Sequence, residues 1–150
     1  MNVQTTRFGT VDIDRNRIIT FEAGLLGFSS QRKFVLLQPD DDGVFYWLQA
    51  IEAQELAFVV TDPSLWVPEY EATIRRDQMK EVELASLEDA QILVIVNKYD
   101  QTLTGNLQGP IVINLKNYQG IQLVLADKRW TTRHEIVQLK ETAQPQAATA

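Results

Sequence analysis

The chain of 150 residues contains no cysteine and a single histidine, His134. Without cysteine there are no disulfides, no thiolate metal sites and no thiol catalysis. One histidine excludes the two- and three-histidine sets that hold catalytic zinc. No apolar run approaches the ~20 residues needed to cross a bilayer, so no membrane span is expected. Met1-Asn2-Val3-Gln4-Thr5 has neither a basic region nor an apolar core, which argues against a signal peptide and makes the cytoplasm the expected location. Gly-x-Ser-x-Gly does not occur, and Gly105-Asn106-Leu107-Gln108-Gly109 lacks the Lys-Ser/Thr ending of a phosphate loop. Asn106 reads instead as a turn residue ahead of Pro110. No internal repeat is evident.

Basic residues are also missing over a long stretch. From Phe34 to Ile74 there is no Lys, Arg or His, while Asp40, Asp41, Asp42, Glu52, Glu55, Asp62, Glu69 and Glu71 all fall there. The formal net charge of -6 therefore arises in this window, since the fourteen bases elsewhere outnumber the remaining acids. Phe34, Phe45, Tyr46, Trp47, Phe58, Trp66 and Tyr70 lie in the same stretch. An acidic segment rich in aromatics repels nucleic acid and attracts basic surfaces. A basic protein partner is the first expectation.

What is present is mostly strand-like. Val3–Phe8 with Val11–Asp14 reads as a hairpin, followed by strands at Arg17–Phe21, Phe34–Leu37, Val44–Ile51 and Ala57–Thr61. Pro39-Asp40-Asp41-Asp42-Gly43 is a strong hairpin turn between two of these. Further strands are expected at Tyr70–Ile74, Ile92–Val96 (fully buried), Ile111–Ile113 and Ile121–Leu125. Only Asp77–Leu84 carries a helical pattern, with Asp77 as the expected N-cap and Met79, Val82 and Leu84 as the buried side. The expected fold is all-β, a small antiparallel barrel-like domain over residues 1–140 with one short helix. Residues 141–150, nearly free of charge and rich in Ala, Gln and Thr, are expected to be a disordered tail.

Chemistry is sparse. Asp40-Asp41-Asp42-Gly43 could suggest calcium, but Val44 and Ile51 stand where an EF-hand loop needs its fifth and twelfth ligands. A solvated hairpin loop explains these acids better, and no metal or cofactor is expected. His134 lacks a nucleophile partner and reads as structural or partner-contacting. Trp47, Trp66 and Trp130 could stack on bases, yet such platforms need a basic groove and this window has no base. A sugar or other small ligand on Trp47 or Trp66 is the alternative function, supported only if a closed apolar pocket surrounds them.

Several strings, in order and spacing, resemble the FliW flagellar assembly factors. They run from Thr6-Arg7-Phe8-Gly9 through Ile18-Ile19-Thr20-Phe21 and Arg32-Lys33-Phe34-Val35-Leu36-Leu37 to Trp47-Leu48-Gln49. Leu56–Val60 leading into Asp62-Pro63 follows, then Pro68-Glu69-Tyr70, Asn106-Leu107, Pro110–Asn114, Gly120-Ile121-Gln122 and Thr132-Arg133-His134. The chain departs from the family pattern at the turn positions Glu22, Leu26, Ala53, Gln54 and Glu135. The resemblance implies a non-enzymatic bacterial cytoplasmic protein with two protein partners. One is the basic, RNA-binding translational regulator CsrA, whose repression of flagellin synthesis it would relieve; the other is flagellin itself. Neither nucleic acid nor membrane is an expected direct partner.

If the strands from Phe34 to Ile74 form a meander, the acids split between two ends about 25 Å apart at ~3.3 Å per strand residue. Asp40, Asp41, Asp42, Asp62, Glu69 and Glu71 form the larger group and the first candidate surface for the basic partner. Glu52, Glu55, Asn106, Arg133 and His134 are secondary candidates.

Overall fold

A computed structural model describes residues 1–38 and 43–139. The expected tail at 141–150 and the acids Asp40, Asp41 and Asp42 lie outside the described residues. The architecture is all-β, with eleven strands and one short α-helix among the described residues. In chain order the strands are β1 (Asn2–Thr5), β2 (Gly9–Asp12), β3 (Ile19–Phe21), β4 (Lys33–Leu37), β5 (Phe45–Ala50) and β6 (Ala57–Thr61). Helix α1 (Arg76–Glu81) follows, then β7 (Ala90–Tyr99), β8 (Thr102–Gly105), β9 (Ile111–Asn114), β10 (Gln119–Gln122) and β11 (His134–Gln138).

Seven strands close into a barrel in the order β7-β6-β5-β4-β3-β10-β9, and β9 returns to β7. Neighbours are antiparallel except β10 and β3, which pair in parallel with Gln119 opposite Thr20. Closure leaves no free edge around the ring. Strand β7 is long enough for a double role, with Ala90–Leu93 pairing β9 and Val96–Tyr99 pairing β8. Strands β8 and β11 thus extend the wall beyond the barrel, and β1 and β2 form a separate hairpin.

The period of two along each strand builds two cores. Phe21, Phe34, Leu48, Val60, Leu93, Ile111 and Ile113 fill the barrel interior. The alternate residues Val94 and Val112 face outward into a second core with Val67, Val82, Leu84, Leu107, Leu123, Leu125 and Trp130. Strand β9 is therefore buried on both faces. Fully burying an apolar side chain such as Phe21 or Phe34 contributes roughly 1.5–3 kcal/mol. The β1–β2 hairpin covers the outside of β4, where Val3 and Ile13 pack on Val35.

Several expectations are corrected here. Tyr70–Ile74 alternates in burial but forms no strand, and β10 ends at Gln122, leaving 123–126 outside the ladder. Strand β7 is buried only in its middle, and Tyr99 is exposed. The helix begins two residues early, with Arg75 at the cap position. The Gln78 side chain accepts from the Arg75 backbone N–H at 2.8 Å, while Asp77 pairs with the Arg75 guanidinium at 3.1 Å. At six residues α1 is too short to persist alone. Asn114 donates to the carbonyls of Val82 and Glu83 at its end, and Asn117 also donates to Val82.

Candidate functional site

The larger acidic group is built at the β5 entrance and the β6 exit. Thr61 lies opposite Phe45, so Val44 and Asp62 leave the barrel at the same end. The buried Thr61 hydroxyl donates to the Val44 carbonyl at 2.7 Å and accepts from the Trp66 indole N–H at 3.0 Å. Asp62 then caps a 3₁₀ turn over Pro63–Leu65, its Oδ1 accepting from the Ser64 backbone N–H at 2.9 Å and the Ser64 hydroxyl at 2.7 Å. Proline at the first position of this turn costs no hydrogen bond, since that N–H would be unpaired anyway. Trp66 stacks on Phe45 with ring centroids 5.7 Å apart. Val44 is 37% exposed, and the turn leaves Leu65 55% exposed. The signal for Leu65 was available in Asp62-Pro63-Ser64-Leu65-Trp66, where a tight turn leaves room for only one of the two large residues beneath it.

Glu69, in the turn closed by the Tyr70 N–H to the Val67 carbonyl, and Glu71 just beyond it are both exposed. Tyr70 between them is pinned, its hydroxyl donating to the Leu107 carbonyl at 2.6 Å and its ring edge packing on Trp130 at 4.9 Å. Burial pushes the Tyr70 phenol well above its ordinary range. The Asp127–Arg129 ion pair, 2.7 Å long, stands close by, and Glu71 and Glu69 add to the field that holds Arg129 charged. The hydrogen bond from Arg129 lowers the Asp127 carboxyl below its usual value.

The window that is free of bases in sequence is thus not free of them in space. Arg7, on the tip of the β1–β2 hairpin, lies over the Trp47 ring at 4.1 Å, and Phe8 meets the same ring edge-on. Trp47 and Trp66 are both engaged by protein, and the barrel interior is filled. Among the described residues, no closed apolar pocket of the kind a small-ligand reading requires surrounds them.

Glu52 and Glu55 are exposed in the β5–β6 loop, at the other end of these strands. That loop is organised by Gln49, which is fully buried. Its Nε2 lies 3.1–3.3 Å from the carbonyls of Ala50, Ala53, Gln54 and Leu56. Asn106, Arg133 and His134 gather elsewhere, where β8 meets β11. Asn106 Oδ1 accepts from the Gly109 N–H at 3.0 Å, His134 pairs with Gly105, and Arg133 covers Tyr99 at 4.4 Å. The structure therefore brings Asp62 to the Val44 end, sets Glu69 and Glu71 beside Arg129, and leaves Glu52 and Glu55 apart.

Among the described residues no three His, Asp or Glu side chains gather as a metal site, and no helix is long and apolar enough to cross a membrane. What remains is a closed, filled β-barrel whose distinctive chemistry is displayed on its outer surface. The chain belongs to the FliW family: the model for FliW protein matches residues 2–136. It is 38% identical over 138 residues to the flagellar assembly factor FliW of Bdellovibrio bacteriovorus, covering 91% of this chain and 79% of that one. The corresponding protein of Geobacter sulfurreducens is 39% identical over 136 residues, covering 89% and 85%. A crystal structure of the flagellar assembly factor FliW superposes with a TM-score of 0.84 at 31% identity, covering 91% of this chain and 97% of that one.

Proposed function

We propose that this chain is a cytoplasmic partner-switching protein of flagellar assembly that makes and breaks no covalent bonds. It binds the translational regulator CsrA, relieves repression of flagellin synthesis, and binds flagellin in an alternative complex. The observation that carries this reading is the end of the barrel from which Val44 and Asp62 emerge, where Val44 and Leu65 are exposed. Glu69 and Glu71 continue the acidic surface, and the sequence adds Asp40, Asp41 and Asp42 between β4 and β5. Carboxylates around an apolar centre suit a basic protein: the charges steer encounter and the apolar groups supply contacts that exclude water.

The test is direct mixing of the purified chain with CsrA and, separately, with flagellin, followed by size-exclusion chromatography at low and high salt. Each pair should elute as a complex at micromolar protein, with the CsrA complex the more weakened by salt. A missing complex removes that half of the proposal. A three-way mixture then asks whether flagellin displaces the regulator.

A further inference from the structure

Two segments that alternate like strands lie across a groove from one another without a shared partner. The first is 71–74, where Ala72 and Ile74 pack on the outer core while Glu71 and Thr73 are exposed. The second is 123–126, where Leu123 and Leu125 are buried and Val124 and Ala126 are exposed. Among the described residues, no backbone group of 71–74 bonds to another backbone group. On the second segment, the Leu123 and Leu125 N–H groups donate to the Pro110 and Gln108 carbonyls. Antiparallel alternation then turns the N–H and C=O of Val124 away from that neighbour. Glu71, Thr73 and Arg75 line one wall of the groove and Val124, Ala126 and Asp127 the other, around about 270 Å³ of open space.

We propose that this groove is a slot for one extended peptide segment of a partner protein, which would add as a strand between 71–74 and 124–126. Main-chain hydrogen bonds give such additions their affinity, and alternate side chains their selectivity. A free strand edge costs little in water but templates pairing with another chain. Charge sets the occupant's composition. Arg75 is committed to Asp77 and Arg129 to Asp127, so Glu71 is the unmatched charge of the first wall. The peptide therefore alternates apolar residues, facing the outer core, with Lys or Arg facing Glu71. This inference rests on the protein-binding reading only in sharing Glu71 with the surface proposed above.

The test uses a blocked heptapeptide of alternating lysine and valine, and the same peptide methylated on its valine amide nitrogens. Each is titrated into the isotope-labelled full chain and followed by amide NMR shifts and hydrogen exchange. The unmethylated peptide should shift the amides of 71–74 and 124–126 and slow their exchange at least tenfold. Methylation should weaken binding at least tenfold, because it removes donors while keeping every charge. Val124→Pro should weaken the unmethylated peptide similarly. Equal binding of the two peptides, shifts confined to other surfaces, or no shift at millimolar peptide would overturn the slot. The peptide pair decides the matter even if Val124→Pro fails to fold. Because the probe is synthetic, its failure leaves the mixing experiment with CsrA and flagellin standing, and the reverse holds too.

Discussion

Gln49 shows how one buried amide can organise a loop. Its Nε2 is shared among four backbone carbonyls of the turn carrying Glu52 and Glu55. Gln49→Leu keeps much of the volume but removes the side-chain donor, while the Ala53, Gln54 and Leu56 carbonyls keep the backbone N–H groups of Leu56, Thr6 and Ala50. A loss of about 1 kcal/mol in urea unfolding is expected, the net worth of a typical hydrogen bond. Tyr70 makes a prediction about pH. Its phenol is raised in the folded state by burial and ionises near 10.0 when unfolded. The unfolded chain therefore releases its proton first, so the contribution is complete below pH 10 and is lost as pH rises beyond it. Stability measured from pH 9 to 11.5 should fall less steeply in Tyr70→Phe than in the parent, and parallel curves would contradict this assignment. The same substitution should cost about 1 kcal/mol at neutral pH through the lost bond to Leu107.

At the scale of elements, the parallel pairing of β10 with β3 depends on a glycine. A Cβ at Gly120 would come within 2.4 Å of the Phe21 ring, which is fully buried and cannot swing aside. Gly120→Ala should destabilise by roughly 1–3 kcal/mol through overpacking. A thermal scan should show a midpoint lower by roughly 2–10 °C for a chain of this size. The strands with clear alternation or strong turn signals, from β3 to β6 and at β9, were legible in the sequence. Strands β8 and β11 were not, for physical reasons. Thr102-Leu103-Thr104-Gly105 is short and mostly polar, and β11 sets Ile136 beside Val137 across a register shift that breaks its period. Tyr70–Ile74 misled in the opposite sense, because alternation reports a buried face and not a paired edge. At Asp77 the usual capping residue gave way to a Gln78 side chain reaching back to the Arg75 N–H.

For the whole molecule, closure of the barrel and its filled interior leave the outside to do the recognising. The placement of Asp62 at one end of β5 and β6 and of Glu52 and Glu55 at the other was legible, because strand order follows from turn positions. The bases that return to the acidic surface were not. Arg129 reaches Glu69 and Glu71, and Arg7 reaches Trp47, by folds of the chain far away in sequence. Nor did periodicity reveal Leu65 and Val44 as exposed. The most direct test of the central claim is the association rate with CsrA, measured by stopped flow over a range of salt. It compares the parent chain with the combined variant Asp62→Asn, Glu69→Gln, Glu71→Gln. The variant should associate at least tenfold more slowly at low salt and with a flatter salt dependence, as loss of electrostatic steering requires. Equal rates and equal salt slopes in a folded variant would contradict it.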